Sequence, residues 1–261
     1  MLRQRWLVIV AVAVVGLGFG LYLLLRPAPQ EVVDLEKVRQ QMGAGQYVDA
    51  RVALERAVSE NPDDAEAYFL LALVQFNLQE YDDAKAHFEH VLELDPERGS
   101  AVHHNLGVLA YQQGDLDEAV GQFQRALATD PKDPDSHYQL GATYLVMALP
   151  MGALEPDAAL LGLAGTEFDL ALEYSPGKPE ALVGIANIYL LRNDVSQAIV
   201  VLEQVVDENP DMSEALFALG RSYAAVGDTE QALAILKRFL ETSPPEMWAN
   251  QAQELIQQLE Q

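Results

Sequence analysis

Residues 65–131 read AEAYFLLALVQFNLQEYDDAKAHFEHVLELDPERGSAVHHNLGVLAYQQGDLDEAVGQFQRALATDP. In its first half Tyr68, Leu71, Ala72 and Gln75 fall three and four residues apart along one track, and Tyr81, Ala84, Phe88 and Val91 along a second. That spacing places each set on one face of an α-helix. The second half repeats the pattern with His103, Leu106, Gly107 and Ala110, then Leu116, Ala119, Phe123 and Ala126. Polar turn residues such as Gln113-Gly114-Asp115 separate the sets. Each unit is therefore a pair of amphipathic helices, closed by Pro96 in one copy and Pro131 in the next.

The same markers run outward in both directions. Pro62, Pro96, Pro131, Pro176, Pro210 and Pro244 recur at steps of 34, 35, 45, 34 and 34 residues. The small residues Ala72, Gly107, Gly141, Ala186 and Gly220 keep this register, as do Ala50, Ala84, Ala119, Ala198 and Ala232 beyond the turn. Small side chains at such places let the two helices of a pair approach closely. The one long step has a local cause: Gly141 and Ala164 are 23 residues apart where Gly107 and Ala119 are 12 apart, an insertion of about 11 residues around Leu149 to Pro156.

A 34-residue helix pair with Leu-Gly, Tyr, Ala, Phe, Ala and Pro at fixed offsets resembles the tetratricopeptide repeat. The closest copies are Leu219-Gly220 with Tyr223, Ala232 and Pro244, and Leu140-Gly141 with Tyr144, Phe168, Ala171 and Pro176. The resemblance runs from Glu31 to Glu246. It implies an all-α fold, a right-handed superhelix or α-solenoid of about six helix pairs, here preceded by one transmembrane helix. The units fall near 31–64, 65–98, 100–133, 134–178 with the insertion, 179–212 and 213–246. Residues 247–261 form a capping helix with Trp248, Ala252, Leu255, Ile256 and Leu259 on one face. The first unit departs from the pattern, with Asp34, Lys37 and Gln41 at apolar offsets, as terminal repeats often do.

Ahead of the repeats, every residue from Leu7 to Leu25 is apolar or glycine apart from Tyr22. That run is close to the ~20 residues a helix needs to cross a bilayer. Trp6 and Tyr22 lie near its ends, and Arg3, Arg5 and Arg26 flank it. A cleavable signal peptide would need a shorter core and a small-x-small site, which Leu23-Leu24-Leu25-Arg26 lacks. Residues 1–26 are therefore read as an uncleaved signal anchor and 27–30 as a short linker. Keeping the Arg-bearing tail in the cytoplasm puts the repeats on the periplasmic side of a bacterial inner membrane. Gly16 and Gly20 form one G-x-x-x-G, a spacing that could bring two anchors together.

All 40 acidic residues follow this run, while Arg3, Arg5 and Arg26 leave 13 of the 16 lysines and arginines beside them. A net charge of −27 opposes nucleic acid and repels an anionic lipid surface. With no cysteine, disulfide frameworks and thiolate chemistry are excluded. No G-x-S-x-G, H-E-x-x-H or G-x-x-x-x-G-K motif is present, and Asp63-Asp64 and Asp82-Asp83 read as helix-start carboxylates. Of the histidines, His87 and His90 are three apart and could hold a metal, yet a third ligand is lacking and His103 reads as inward packing. The chain is expected to be no enzyme and to carry no cofactor.

The resemblance further implies that the first helix of each pair lines a concave groove. Carried over residue by residue, the groove positions are Phe69, Leu73 and Phe76, then His104, Val108 and Tyr111, then Tyr138, Ala142 and Leu145. Val183, Asn187 and Leu190 follow, then Phe217, Arg221 and Ala224. Family members that grip chaperone tails use Lys and Asn at such offsets; here only Asn187, Arg39 and Arg221 could serve. The expected partners are apolar or amphipathic protein or peptide segments, with residues 7–25 in the lipid bilayer. The apolar insertion at Leu149-Pro150-Met151-Gly152-Ala153-Leu154 is a second contact candidate. The expected role is a membrane-anchored scaffold or adaptor for assembly of an envelope or membrane complex. A permanent structural subunit is the alternative reading, and a metal-binding or enzymatic activity a remote one.

Overall fold

A computed structural model describes residues 33–149 and 155–261. The anchor at 1–26, the linker at 27–30 and insertion residues 150–154 lie outside them. Among the described residues every regular element is helical, and no helix is long and apolar enough to cross a membrane.

The chain divides into two compact units at Pro62. The first contains α1 (Leu35–Gly43) and α2 (Tyr47–Glu60). Asp34 caps α1 by accepting from the Glu36 and Lys37 amides, so the acidic residue that breaks the apolar pattern has a structural use. The core of this pair is small: Val38 of α1 against Ala50, Leu54 and Ala57 of α2.

Among the described residues the second unit holds eleven helices. They are α3 (Ala65–Asn77), α4 (Tyr81–Leu94), α5 (Gly99–Gln113), α6 (Leu116–Thr129), α7 (Pro134–Ala148), α8 (Ala158–Tyr174), α9 (Pro179–Leu191), α10 (Val195–Glu208), α11 (Ser213–Ala225), α12 (Thr229–Glu241) and α13 (Glu246–Leu259). A single 3₁₀ turn, Pro96–Arg98, leads into α5. Aspartates start several helices: Asp64, Asp115, Asp133, Asp157 and Asp228 each accept from amides of the first turn. Carboxylates there satisfy orphan donors and favour the helix dipole. Tight turns need left-handed backbone, supplied by Gly114 at φ +80° and Gly227 at φ +79°.

In three of the pairs the seam is a large side chain against a glycine. A Cβ on Gly107 would sit 2.6 Å from the Phe123 ring, one on Gly141 2.9 Å from Phe168, and one on Gly220 2.7 Å from Leu236. Phe88, Phe123, Phe168 and Phe239 are fully buried. Burying one such ring contributes about 1.5–3 kcal/mol, so the aromatic positions anchor each pair. Gly184 also faces Phe168, where a side chain would overlap the ring, so that one ring clamps two successive pairs.

Neighbouring pairs pack second helix to next first helix, and the first helices also meet: α5 with α7, α7 with α9, and α9 with α11. This row of first helices is the inner wall of the stack. The insertion does not break it. α7 ends at Ala148 and α8 runs 17 residues from Ala158, so the inserted sequence falls between the two helices of one pair.

Candidate functional site

The inner wall carries most of the residues expected to line a groove, in a half-buried state. Val108, Tyr111, Tyr138, Ala142 and Leu145 pack together over the core of the third and fourth pairs, and Phe69 and Leu73 do the same in the second. Phe76 lies beside Tyr81 at 5.8 Å between ring centres. Val183 differs. It is fully buried in the core of the last pairs, so its place is in packing and not on the wall. The small Gly184 beside it lets α9 sink onto Phe168 and draws Val183 inward with the helix.

His104 is on the wall but occupied. Its Nδ1 is 2.9 Å from Ser136 Oγ, and Ser136 donates to Asp133, the cap of α7. Burial lowers the His104 pKa, partly offset by Asp133 and Asp135. The imidazole is thus a neutral strut between α5 and α7. This order, with a buried serine between histidine and carboxylate, is not that of a nucleophilic triad, in which histidine is central. The remaining histidines have partners of their own: His87 with Gln75 at 2.7 Å, His90 with Glu93 at 3.0 Å, His103 with Gln122 at 2.8 Å and His137 with Glu167 at 2.7 Å. Among the described residues no group of three His, Asp or Glu side chains is placed to hold a metal.

A concave opening lies between α9, α11 and α13. It measures about 460 Å³ and is lined by Asn187, Leu190, Glu214, Phe217, Arg221, Trp248 and Gln251 among others. Four of the expected groove residues, Asn187, Leu190, Phe217 and Arg221, therefore meet in one place. Ser222 faces into it too and is itself satisfied, donating to the Ala218 carbonyl at 2.7 Å. Trp248 stacks on Phe217 at 5.7 Å and 14° between ring planes, and the Arg221 guanidinium lies 5.6 Å from the same ring. Arg39, the other cation considered, belongs to α1 and pairs with Glu36 at 3.3 Å.

Glu214, Glu180 and Trp248 were not among the expected site residues. The carboxylates stand three residues before Phe217 and Val183, on the same helix face one turn upstream, and that spacing was the available signal. Partial shielding from water and the charge of Glu180 raise the Glu214 pKa. Tyr138 is pushed up to about 12, first by burial and then by Glu214, Glu180 and Tyr111. Burial and Glu214 also raise Tyr111. Tyr111, Tyr138 and Glu214 thus share one electrostatic neighbourhood although they come from three different pairs. Trp248 belongs to the predicted capping helix, whose Ala252 and Ile256 are buried. That helix closes the core and also supplies a wall of the opening.

Comparison with known proteins agrees with this architecture. The tetratricopeptide repeat profile matches residues 41–107 and 192–259, and a second TPR repeat profile matches 107–147. The chain belongs to the tetratricopeptide repeat family. Among curated relatives it is 31% identical over 113 residues to BBSome complex member BBS4 of Bos taurus, covering 39% of this chain and 22% of that protein. It is 34% identical over 101 residues to putative adenylate cyclase 3 of Rhizobium meliloti, covering 33% and 17%. The chain thus spans about a fifth of the length of these relatives. Among solved structures, PilW, a widely conserved type IV pilus biogenesis factor, superposes with a TM-score of 0.69 at 18% identity, over 87% of this chain and 96% of that one. Pseudomonas aeruginosa pilF gives 0.67 at 18%, over 84% and 94%. YrrB, a TPR protein with an unusual peptide-binding site, gives 0.53 at 23%, over 77% and 98%. At these identities the structural likenesses establish the fold, and tetratricopeptide repeats mediate protein–protein interaction.

Proposed function

We propose that this chain is a non-enzymatic scaffold that holds segments of other proteins against its inner wall and is tethered to a bacterial inner membrane by residues 7–25. The observation that carries the reading is the opening between α9, α11 and α13, where apolar Leu190, Phe217 and Trp248 adjoin the polar tips of Asn187, Arg221 and Gln251. A concave site of mixed lining suits a peptide side chain fixed by a few polar contacts. The apolar run at Leu7–Leu25 supports the tether, and the periplasmic side follows from the arginines before it. Assembly of an envelope complex is the role we assign, and the fold shared with pilus biogenesis factors is in keeping with it.

The test places a photo-crosslinking residue at Tyr111, Tyr138 or Leu190 in the full chain in native membranes, with the exposed Val200 of α10 as control. The three wall positions should yield discrete protein adducts that Val200 does not. Adducts of equal yield at all four would refute an inner-wall site. The tether is read separately: the chain should stay in the pellet after carbonate extraction, and release into the supernatant would remove that part of the proposal.

A further inference from the structure

The inner wall contains a repeated device for seating a cation. In the second pair Glu66, the second residue of α3, pairs with Arg98, the residue that precedes α5. The Arg98 guanidinium also lies 5.8 Å from the ring of Phe69, three residues past that carboxylate. The fourth pair does the same with other residue types. Asp135, second in α7, pairs with Lys178 at 2.6 Å, Lys178 precedes α9, and its ammonium lies 5.6 Å from the ring of Tyr138. Glu180, second in α9, has Lys178 within 3.9 Å. The matching place in the third pair is Ala101, where no charge needs an answer.

The sixth pair has the acceptor without the cation. Glu214 is second in α11 and Phe217 stands three residues on, but the residue preceding the next helix, α13, is Pro245. Among the described residues Glu214 makes no ion pair or hydrogen bond. Arg221 is two turns further along the same helix face, about 10 Å up the axis at 1.5 Å per residue, and covers Phe217 without pairing with Glu214. The unanswered carboxylate faces the opening described above. We infer that Glu214 is a vacant copy of this seat, filled by a lysine or arginine of a partner segment whose neighbouring apolar side chain enters the opening beside Leu190 and Trp248.

The pairing chemistry favours a cation over any other occupant. Glu180 and Glu214 repel one another across the wall, and the Glu214 pKa is raised first by partial shielding from water and then by the Glu180 charge. A partner ammonium or guanidinium would relieve both, as Lys178 and Arg98 do elsewhere. This inference rests on the inner-wall reading above, and its test is arranged so that the two can fail apart.

A phage library of random 12-residue peptides is panned on the full chain held in nanodiscs, in parallel with E214Q, P245R and P245A. On the wild type the selected peptides should share one position enriched about three- to fivefold in Lys or Arg, the discrimination expected of a half-shielded charge pair. E214Q should lose that enrichment. P245R, which supplies the missing cation from within, should lose it as well, while P245A, which only removes the proline ring, should keep it. P245R should also melt higher than P245A, and the difference should vanish in the E214Q background. Enriched peptides with no basic position, or a basic position that persists on E214Q, would overturn the inference and leave the inner-wall site standing. Enrichment of no peptide at all on the wild type would overturn both.

Discussion

The seam inside the third helix pair and the opening at the end of the row use the same parts to opposite ends. In the seam, Gly107 on α5 lets the Phe123 ring come so close that an added methyl would overlap it, and the ring is fully buried. At the opening, Phe217 on α11 packs on Phe239 of its partner helix α12, but the rest of its ring meets Trp248 and the Arg221 guanidinium beside a concave opening. One face of each first helix is consumed by its own partner helix, whereas the adjacent face has only neighbouring first helices to cover it. A stack of pairs therefore closes its seams everywhere and its inner wall incompletely. Stability resides in the first, and the recognition proposed above would use the second.

Breaking the seam should have the largest effect. Phe123→Ala removes a fully buried ring and leaves a cavity walled by Gly107 and the core of two pairs, at a cost of about 3–5 kcal/mol. Chemical denaturation should show it as a lowered midpoint, and a shift of less than a degree in the melting temperature would contradict the assignment. Gly107→Ala attacks the same contact from the other side. Its methyl would meet the ring at 2.6 Å, and because Phe123 is enclosed the helices must move apart, costing about 1–3 kcal/mol. A Gly107→Ala chain as stable as the wild type would show that the seam can yield.

At the opening the order should reverse, with stability touched less and binding more. Trp248→Ala removes a partly buried ring stacked on Phe217, a loss of about 1–2 kcal/mol, and should abolish crosslinking from Leu190 while leaving the helical circular dichroism unchanged. Full crosslinking from Leu190 in that variant would separate the cap from the site. Glu214→Gln gives the smallest effect and the one with a pH signature. Because its folded pKa lies above the usual 4.5, the folded chain holds that proton more tightly, and stability falls as pH rises from 4.5 through the folded value. At neutral pH the penalty is complete. Glu214→Gln should melt slightly higher than wild type at pH 7 and equally at pH 4. A variant that melts lower at pH 7 would mean that Glu214 has a compensating partner.

Most of the scaffold could be read from residue types and intervals alone. A 34-residue period in Pro, Ala, Gly and Phe fixes helix pairs, because only helical spacing puts those residues on one face and only a glycine or alanine opposite a large ring lets two helices touch. Asp64 at a helix start, the insertion between α7 and α8 and the family itself follow from the same reading, whereas the capping roles of Asp34, Asp133, Asp157 and Asp228 came only with the structure. The wall was legible in part. Its aromatic and aliphatic members stand at regular offsets, but Val183 occupies such an offset and is buried, since a glycine one residue on lets α9 sink into the core. Distance along the chain hid the rest. Trp248 reaches Phe217 from a helix two elements later, Glu214 influences Tyr111 from three pairs away and Tyr138 from two, and His104 is held by a serine 32 residues on. Local periodicity decides which face of a helix is apolar, because that depends on 3.6 residues per turn and nothing else. Which apolar or charged group is finally left uncovered depends on how many neighbours the stack brings to it, and three-dimensional packing alone determines that.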